Sequence, residues 1–425
     1  MYNTFCGIDF GTTNSAVSVT NKADIPHLIT FEKNKQTIPS AIFFPEDNTY
    51  SPIFGSEAIN QYINGGDGRF MRSLKRILGT DLMELKTEVN EIRLSYEDII
   101  LYFIKHLKQT AEEEIKQSLD GVVLGRPVHF QDFAPEQDQK AESILRKIAY
   151  NAGFKYISFQ YEPLAAAFSH EAKLDKECLA CVIDIGGGTS DFSIVRLNKN
   201  SCNKKDRSDD ILANTGIRIG GNDFDSDLSL KCFMKNFGYK TLLRPDEYTG
   251  RVLPIPFQPY VMLSEWSSIN SLYTYSAKKN IKQIYERAEE ISKVANLYEI
   301  VEKELGHTLL NKVEESKINL SKNDDVLTKL EFLTQKTEIE SNIKEFEEAI
   351  ENNTSKIVSS LEECVLQAKI NKNDINLLVL TGGSTEIPYI RNTILKVFPN
   401  AKVSEDNKLS SVATGLSYEA MRIYR

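Results

Sequence analysis

A single tryptophan (Trp266), five histidines and six cysteines in 425 residues are what this chain has least of, and each scarcity excludes something. The histidines are scattered without ligand spacing, so no structural zinc site is expected. Cys178 and Cys181 form one C-x-x-C, but no second such pair follows, and Cys181 lies within an apolar run. Cys6, Cys178, Cys181, Cys202, Cys232 and Cys364 therefore read as reduced, packed thiols. No stretch approaches the ~20 apolar residues that a membrane span requires. The N-terminus has no basic segment, and Asp9 interrupts its first apolar run, so no secretory leader is expected and a cytoplasmic location is. Basic residues are outnumbered by acidic ones, 51 to 60, and the net charge of −9 argues against a broad nucleic-acid or anionic-membrane surface. The length allows two to four domain-sized units with ample core.

Against these absences stand three glycine turns, each fed by an apolar strand. They are Cys6–Asn14 (CGIDFGTTN), Val182–Asp191 (VIDIGGGTSD) and Leu378–Thr385 (LVLTGGST). The first two share one order: strand, aspartate, an apolar residue, glycine, threonine, second strand. Glycine lets a turn's backbone approach an anion with no Cβ in the way, and consecutive N–H groups there form an anion-binding nest. Asp9 and Asp184 each offer a hard carboxylate to Mg²⁺ or its water shell. The bland reading is that both merely cap turns. Two such turns together point to a clamp on a magnesium–polyphosphate. Asp9 and Asp184 are 175 residues apart, which suggests a duplicated α/β unit with one nucleotide held between the halves.

Along the chain, Phe5 to Ile8 and the stretch around Ala16, Val17 and Val19 read as a hairpin, and Ile38–Phe44 as a further strand opened by Pro39. Phe70, Leu74, Ile77 and Leu78 share one helical face, so the periodicity predicts a helix over 70–78 stopped by Gly79. Longer helices are expected at 96–118 and 140–152, with strands at 121–125 and 156–160. The latter leads into Glu162-Pro163-Leu164-Ala165-Ala166-Ala167, a helix start with proline in its first turn. Residues 199–210 read as a polar surface loop, 239–270 as an unusual proline-rich segment, and 278–321 and 337–369 as mainly helical. A last strand, glycine turn and helix (376–398) precede a closing helix containing Val412-Ala413-Thr414-Gly415.

These motifs resemble those of the actin/Hsp70/sugar-kinase superfamily, and the Hsp70 family in particular. Gly7–Ser15 resembles its first phosphate motif, Asp184–Asp191 the second, Leu380–Pro388 the adenosine motif and Glu162–Ala167 the hinge motif. Lys75-Arg76-Ile77-Leu78-Gly79 and Ile219–Asp225 (IGGNDFD) are also Hsp70-like and are rarer elsewhere in the superfamily. The resemblance implies an α/β, two-lobed, actin-like ATPase fold built from duplicated ribonuclease H-like units with four subdomains. Lobe I would span 1–170, lobe II 171–403, and the closing helix 404–425 would return to lobe I. No apolar linker or peptide-binding domain is expected. Together with the proline-rich Leu253–Trp266, this resembles the short Hsp70-like branch typified by YegD.

The resemblance also implies roles. Asp9 and Asp184 would hold Mg²⁺, largely through water. Gly11, Thr12, Thr13 and Asn14 would contact the phosphates from one side, and Gly186, Gly187, Gly188 and Thr189 from the other. Lys75 looks like the family's catalytic lysine; without the resemblance the favoured reading is a solvated lysine beside an apolar face. Glu162 resembles the glutamate that reaches the metal's water shell, its bland competitor being an acid at a helix N-terminus. Asp191 resembles the carboxylate near the attacking water, with Asp184 and Thr189 beside it. Gly221, Glu314, Lys317, Ser321, Gly382, Gly383 and Ser384 match the adenosine positions; Glu314, Lys317 and Ser321 share one helix face, as many polar faces do. Two departures stand out: Leu409 occupies the place of an acidic residue of the adenosine pocket, and the arginine that partners the proline at 127 has no clear counterpart, its stretch reading near Glu142.

The implied function is an Hsp70-like, chaperone-related protein that binds ATP or ADP with Mg²⁺, hydrolyses ATP slowly, and acts as a conformational switch. An unidentified protein partner, such as a nucleotide exchange factor, would read its state. No nucleic acid or membrane partner is expected. The rivals are an actin-like filament-forming ATPase, a small-molecule kinase of the same superfamily, and a nucleotide-sensing module without hydrolysis.

Overall fold

Phe5–Phe10 and Cys178–Ile185 are buried along nearly their whole length, and strands buried on both faces belong at the centre of a covered sheet. Each seeds a sheet of the same plan. In the first, Phe5–Phe10 pairs antiparallel with Asn14–Thr20, which pairs antiparallel with Pro26–Leu28. On its other side Phe5–Phe10 pairs parallel with Gly121–Arg126, and that strand with Tyr156–Tyr161. In the second, Cys178–Ile185 pairs antiparallel with Ser190–Leu197 and that with Ile211–Ile217, while Leu377–Thr381 and then Lys402–Val403 extend it in parallel. Numbered along each half, both sheets read 3-2-1-4-5. The short strand Ile38–Pro39 adds to the first sheet at Asn14 and Ser15.

This computed structural model describes residues 4–20, 26–46, 51–89, 92–130, 135–171, 174, 176–198, 207–246, 248–404 and 410–424. The chain forms two compact units. One comprises Met1–Arg218, Ser359–Thr385 and Ile394–Arg425 and contains both sheets; the other comprises Ile219–Val358 and Glu386–Thr393.

Within the first unit, alternation along each strand decides which layer a side chain joins. Val122 and Leu124 face the core made with helices Tyr96–Ile115 and Pro135–Asn151, through Phe103, Leu107, Leu145 and Ile148. Val123 faces the opposite way, into a core shared with Leu164, Ala165 and Ala166 of helix Glu162–Glu171 and Val412, Leu416 and Ala420 of helix Ser411–Tyr424. Val182, Val195 and Val379 of the second sheet enter this same core. The two helices meet where Gly415 faces Ala165. A Cβ on Gly415 would fall 1.8 Å from the Ala165 carbonyl oxygen, so only glycine permits the approach. Helix Tyr96–Ile115 starts with a capping box, Ser95 Oγ accepting from Asp98 N and an Asp98 carboxylate oxygen accepting from Ser95 N.

The second unit is mainly helical, with Gly221–Leu228, Tyr275–Arg287, Ile291–Glu302 and Gly306–Leu320, plus the hairpin Asp325–Leu330/Thr337–Asn342. Its proline-rich stretch is held by backbone bonds Leu243 N to Leu253 O and Ile255 N to Thr241 O.

Two local expectations change. The helix expected over 70–78 is instead the end of strand Gly68–Arg72, which pairs with Ala41–Pro45, followed by one 3-10 turn, Leu74–Ile77. Pairing with Ala41–Pro45 outweighs the weak helical periodicity there. Gly79 does take a left-handed conformation, at φ 78°. Residues 337–342, read as helical, form a strand because Asp325–Leu330 offers them a full antiparallel register; the helix runs Ile343–Gln367. Helix Pro388–Val397 opens on its proline, whose missing N–H costs nothing in the first turn. The expected loop at 199–206 and Leu409 lie outside the described residues.

Candidate nucleotide site

Five parallel strands, three in the first sheet and two in the second, end at one place in the first unit. In open α/β sheets ligands bind beyond such strand ends. Here the ends deliver Asp9 from Phe5–Phe10, Pro127 after Gly121–Arg126, Glu162 after Tyr156–Tyr161, Asp184 from Cys178–Ile185, and Thr381 with Gly382 after Leu377–Thr381. They surround a cavity of about 200 Å³. Its walls include Gly11, Thr12, Thr13 and Asn14 of the first turn, Gly186, Gly187 and Thr189 of the second, and Gly383 of the third. Lys75 and Asp191 also line it. Two other predicted residues flank it: Ser384 Oγ donates to Gly186 O at 3.1 Å, and Gly188 packs against Arg76.

The first two turns touch. A Cβ on Gly187 would stand 2.1 Å from Thr13 Cγ2, so the second turn's backbone lies against the threonine's methyl. Each turn is tied down locally. Ser40, almost wholly buried, donates from Oγ to Gly11 O at 2.7 Å and from its backbone N to Thr13 O at 2.8 Å. Gly186 N donates to Thr189 O at 2.9 Å across the second turn. Lys75 sits on the 3-10 turn entered through Ser73, a non-glycine residue at φ 60°, with Leu74 and Leu78 buried as anchors.

The electrostatics are lopsided. Lys75 Nζ donates to Glu162 Oε1 at 2.5 Å, and both side chains are largely buried. Burial pulls the lysine's pKa down, but Glu162, Asp9 and Asp184 outweigh it and the net shift is upward. Asp9 is pushed up to about 8, by burial first and then by Glu162, with Lys75 opposing. Asp184 rises to about 6 through burial and Glu162, against a bond from Thr381. Asp191 rises to about 7 through burial and Asp184, against a bond from Thr189. Buried carboxylates next to each other resist ionisation unless a cation joins them. Lys75 opposes the rise at each aspartate without cancelling it, so the site accommodates added positive charge.

What kind of cation fits follows from the donors. They are hard carboxylate oxygens, yet among the described residues no group of three or more His, Cys, Asp or Glu side chains is arranged to grip a bare metal ion. The set suits a hydrated hard cation such as Mg²⁺, which keeps several waters and takes one or two carboxylates.

The remaining adenosine candidates belong to the second unit. Lys317 Nζ donates to Gly221 O at 3.1 Å and to Asp225 Oδ2 at 2.8 Å, which brings Lys317 and Gly221 together. Ser321 is the C-cap of helix Gly306–Leu320, with its hydroxyl on Lys317 O at 3.2 Å. Glu314 is half-buried on the same helix. Glu142 bonds both Arg126 and Arg146, so the charge at that position is absorbed by local ion pairs. The five described cysteines are buried thiols, and Cys178 and Cys181, three apart on one strand, point to opposite faces.

Sequence reasoning missed Ser40, Arg76, His129, Phe130 and Arg218; all but Ser40 line the cavity. His129 and Phe130 follow the C-terminal end of an apolar parallel strand, a signal that was available. Ser40 had none, since only the folded chain places it beside the first turn.

A family model described as Hsp70 protein matches residues 5–246 and 283–421. The chain belongs to the Hsp70 family. Its mixed α/β architecture, with two sheets of one plan, is the actin-like ATPase fold class of that family. Chaperone protein DnaK of Thermosipho melanesiensis is 26% identical over 425 residues, covering 97% of this chain and 58% of that DnaK. Chaperone protein DnaK of Mycoplasmopsis agalactiae is 27% identical over 413 residues, covering 94% and 56%. The DnaK of Mycoplasmopsis synoviae is similar at 25% over 415 residues, covering 95% and 56%. This Hsp70-family chain thus spans a little over half the length of the curated relatives it matches. No helix among the described residues is long and apolar enough to cross a membrane.

Proposed function

We propose that this chain is an Hsp70-like, chaperone-related ATPase: it binds ATP or ADP with Mg²⁺, hydrolyses ATP slowly, and serves as a conformational switch in the cytoplasm. The observation that carries the reading is one cavity that joins two touching glycine turns, four partly buried carboxylates and the Lys75–Glu162 pair. In this reading the backbone N–H groups of Gly11–Thr13 and Gly186–Thr189 bind the β- and γ-phosphates. Asp9 and Asp184 hold Mg²⁺ through its waters, with Glu162 reaching the same shell. The ion, when bound, supplies charge neutralisation on the polyphosphate. Lys75, oriented by Glu162, faces the γ-phosphate, and Asp191, held by Thr189, lies toward the attacking water. Phosphoryl transfer needs mainly such positioning and electrostatics. Gly382, Gly383 and Ser384 contact the adenosine; for Gly221, Glu314, Lys317 and Ser321 in the second unit the same role rests on their match to the family's positions.

Lobes at 1–170 and 171–403 with the closing helix at 404–425, and membership of the short YegD-like branch on the strength of Leu253–Trp266, belong to the same reading. A protein partner such as a nucleotide exchange factor is the output. Calorimetric titration of ATP and ADP with Mg²⁺, then single-turnover phosphate release by wild type and Lys75→Ala, tests it. Tight, EDTA-sensitive binding with slow release that Lys75→Ala abolishes is the expected result. Binding with no release in either protein would replace the ATPase with a nucleotide-sensing module. No binding would overturn the proposal.

A further inference from the structure

The cavity's cations are not equivalent. Lys75 is engaged by Glu162 at 2.5 Å and lies among Asp9, Asp184 and Asp191. Arg218 has a partner of its own. Arg76, next to Lys75, lines the same cavity, is exposed, and among the described residues its side chain makes no hydrogen bond or ion pair. That is unusual for a guanidinium in a cavity holding four carboxylates, since arginine pairs readily with carboxylate wherever its fork can reach. Its head is instead turned to the second glycine turn. A Cβ on Gly188 would lie 3.0, 3.1 and 3.4 Å from Arg76 NH1, Cζ and Nε. Three guanidinium atoms at nearly equal distance put the plane of the group against the glycine. Gly188 is not in a left-handed conformation, so what its missing side chain provides is room for Arg76. The backbone beneath is fixed by Arg76 N donating to Ser73 O at 3.1 Å and by buried Leu74.

We infer that Arg76 is a phosphate-binding residue, holding the terminal phosphoryl group against the Gly186–Thr189 turn. The planar fork suits two phosphate oxygens at once, whereas Lys75 is a point charge already committed to carboxylates. The same chemistry serves the γ-phosphate of ATP and free inorganic phosphate beside ADP. This inference rests on the nucleotide reading of the cavity.

The test is calorimetry on the full chain with MgATP, MgADP, and inorganic phosphate added to the MgADP-bound protein, for wild type, Arg76→Ala, Arg76→Lys and Gly188→Ala. Arg76→Ala is expected to weaken MgATP by about 10- to 100-fold, the range of a charge-assisted bond, with MgADP changed by less than about 3-fold. Arg76→Lys should recover part of the loss. Gly188→Ala asks the exposed guanidinium to give by a few tenths of an ångström, so it should weaken MgATP by less than Arg76→Ala does and add nothing to it in the double variant. Loss of phosphate binding to the MgADP form would extend the role to the leaving phosphate. Unchanged phosphate binding there would confine it to the γ-phosphate. Equal weakening of ATP and ADP, or no change in either, overturns the assignment while leaving the nucleotide site standing. Wild type that binds neither nucleotide overturns the nucleotide reading itself, and the assignment with it.

Discussion

Gly415→Ala sets two effects of opposite sign against each other. Gly415 lies in the interior of helix Ser411–Tyr424, where replacing glycine by alanine stabilises an isolated helix by about 1 kcal/mol. In this fold the added methyl would stand 1.8 Å from the Ala165 oxygen, 2.5 Å from its carbonyl carbon and 2.9 Å from its Cα. An ordinary carbon–oxygen contact is about 3.3 Å, so the helices must part by roughly 1.5 Å. Every atom met is backbone, so no rotamer change relieves the overlap. Overpacking of this kind costs about 1–3 kcal/mol. Parting the helices also loosens Val412, Leu416 and Ala420 from Leu164 and Ala166, which adds a cavity cost. With a cavity cost of about 1 kcal/mol offset by the similar gain in helix propensity, the net expectation is a loss of about 1–3 kcal/mol, or a fall of roughly 2–12 °C in melting temperature for a unit of this size. Near-ultraviolet circular dichroism melts of wild type, Gly415→Ala and Tyr418→Ala measure it. Tyr418 is 39% exposed on the same helix and should change stability by no more than about 0.5 kcal/mol. A melting temperature for Gly415→Ala equal to or above wild type would mean that helix propensity won and that the close approach does not exist. Because helix Glu162–Glu171 begins at Glu162, the same substitution should also weaken stabilisation by MgADP.

Gly187→Ala should push apart the two turns at Thr13, leave the fold intact, and abolish most of the thermal shift produced by MgADP. Thr13→Ser removes the methyl met at 2.1 Å and should restore part of that shift in the double variant, since the next contacts are 3.3 Å away; no recovery would refute the pinch. Asp227 is pushed up to about 6, by burial first, with Asn353 Nδ2 donating to it at 2.7 Å and opposing the shift. Its folded state holds the proton more tightly than the unfolded chain, so stability falls as pH rises from about 4 to about 6. Asp227→Asn keeps an acceptor for Asn353 and should raise stability at pH 7.5 by about 1–2 kcal/mol, after allowing for partial exposure. The gain should vanish near pH 4, and a gain independent of pH would show that Asp227 is not its source.

Motifs read from the chain alone name the parts of the cavity because their chemistry is local. An aspartate closing an apolar strand and a glycine turn after it are covalently adjacent, so Asp9 and Gly11, or Asp184 and Gly186, are linked whatever the rest of the fold does. The hairpins at the head of each sheet are equally local, as is the capping box at Ser95. Segments with two plausible periodicities were decided elsewhere. Residues 70–72 became strand because Ala41–Pro45 lies beside them, and 337–342 because Asp325–Leu330 does. The cavity's electrostatics were also beyond sequence. Lys75 and Glu162 are 87 residues apart, and no spacing rule states that they bond or that three aspartates crowd around them. Ser40 under the first turn and Gly415 against Ala165 are contacts between distant segments, with no local pattern to betray them. The sequence by itself determined which groups exist and how each turn is shaped, because both depend on neighbours along the chain. Only the tertiary structure decided which acids share one lysine and which arginine faces the second glycine turn, because burial and Coulomb energy depend on neighbours in space.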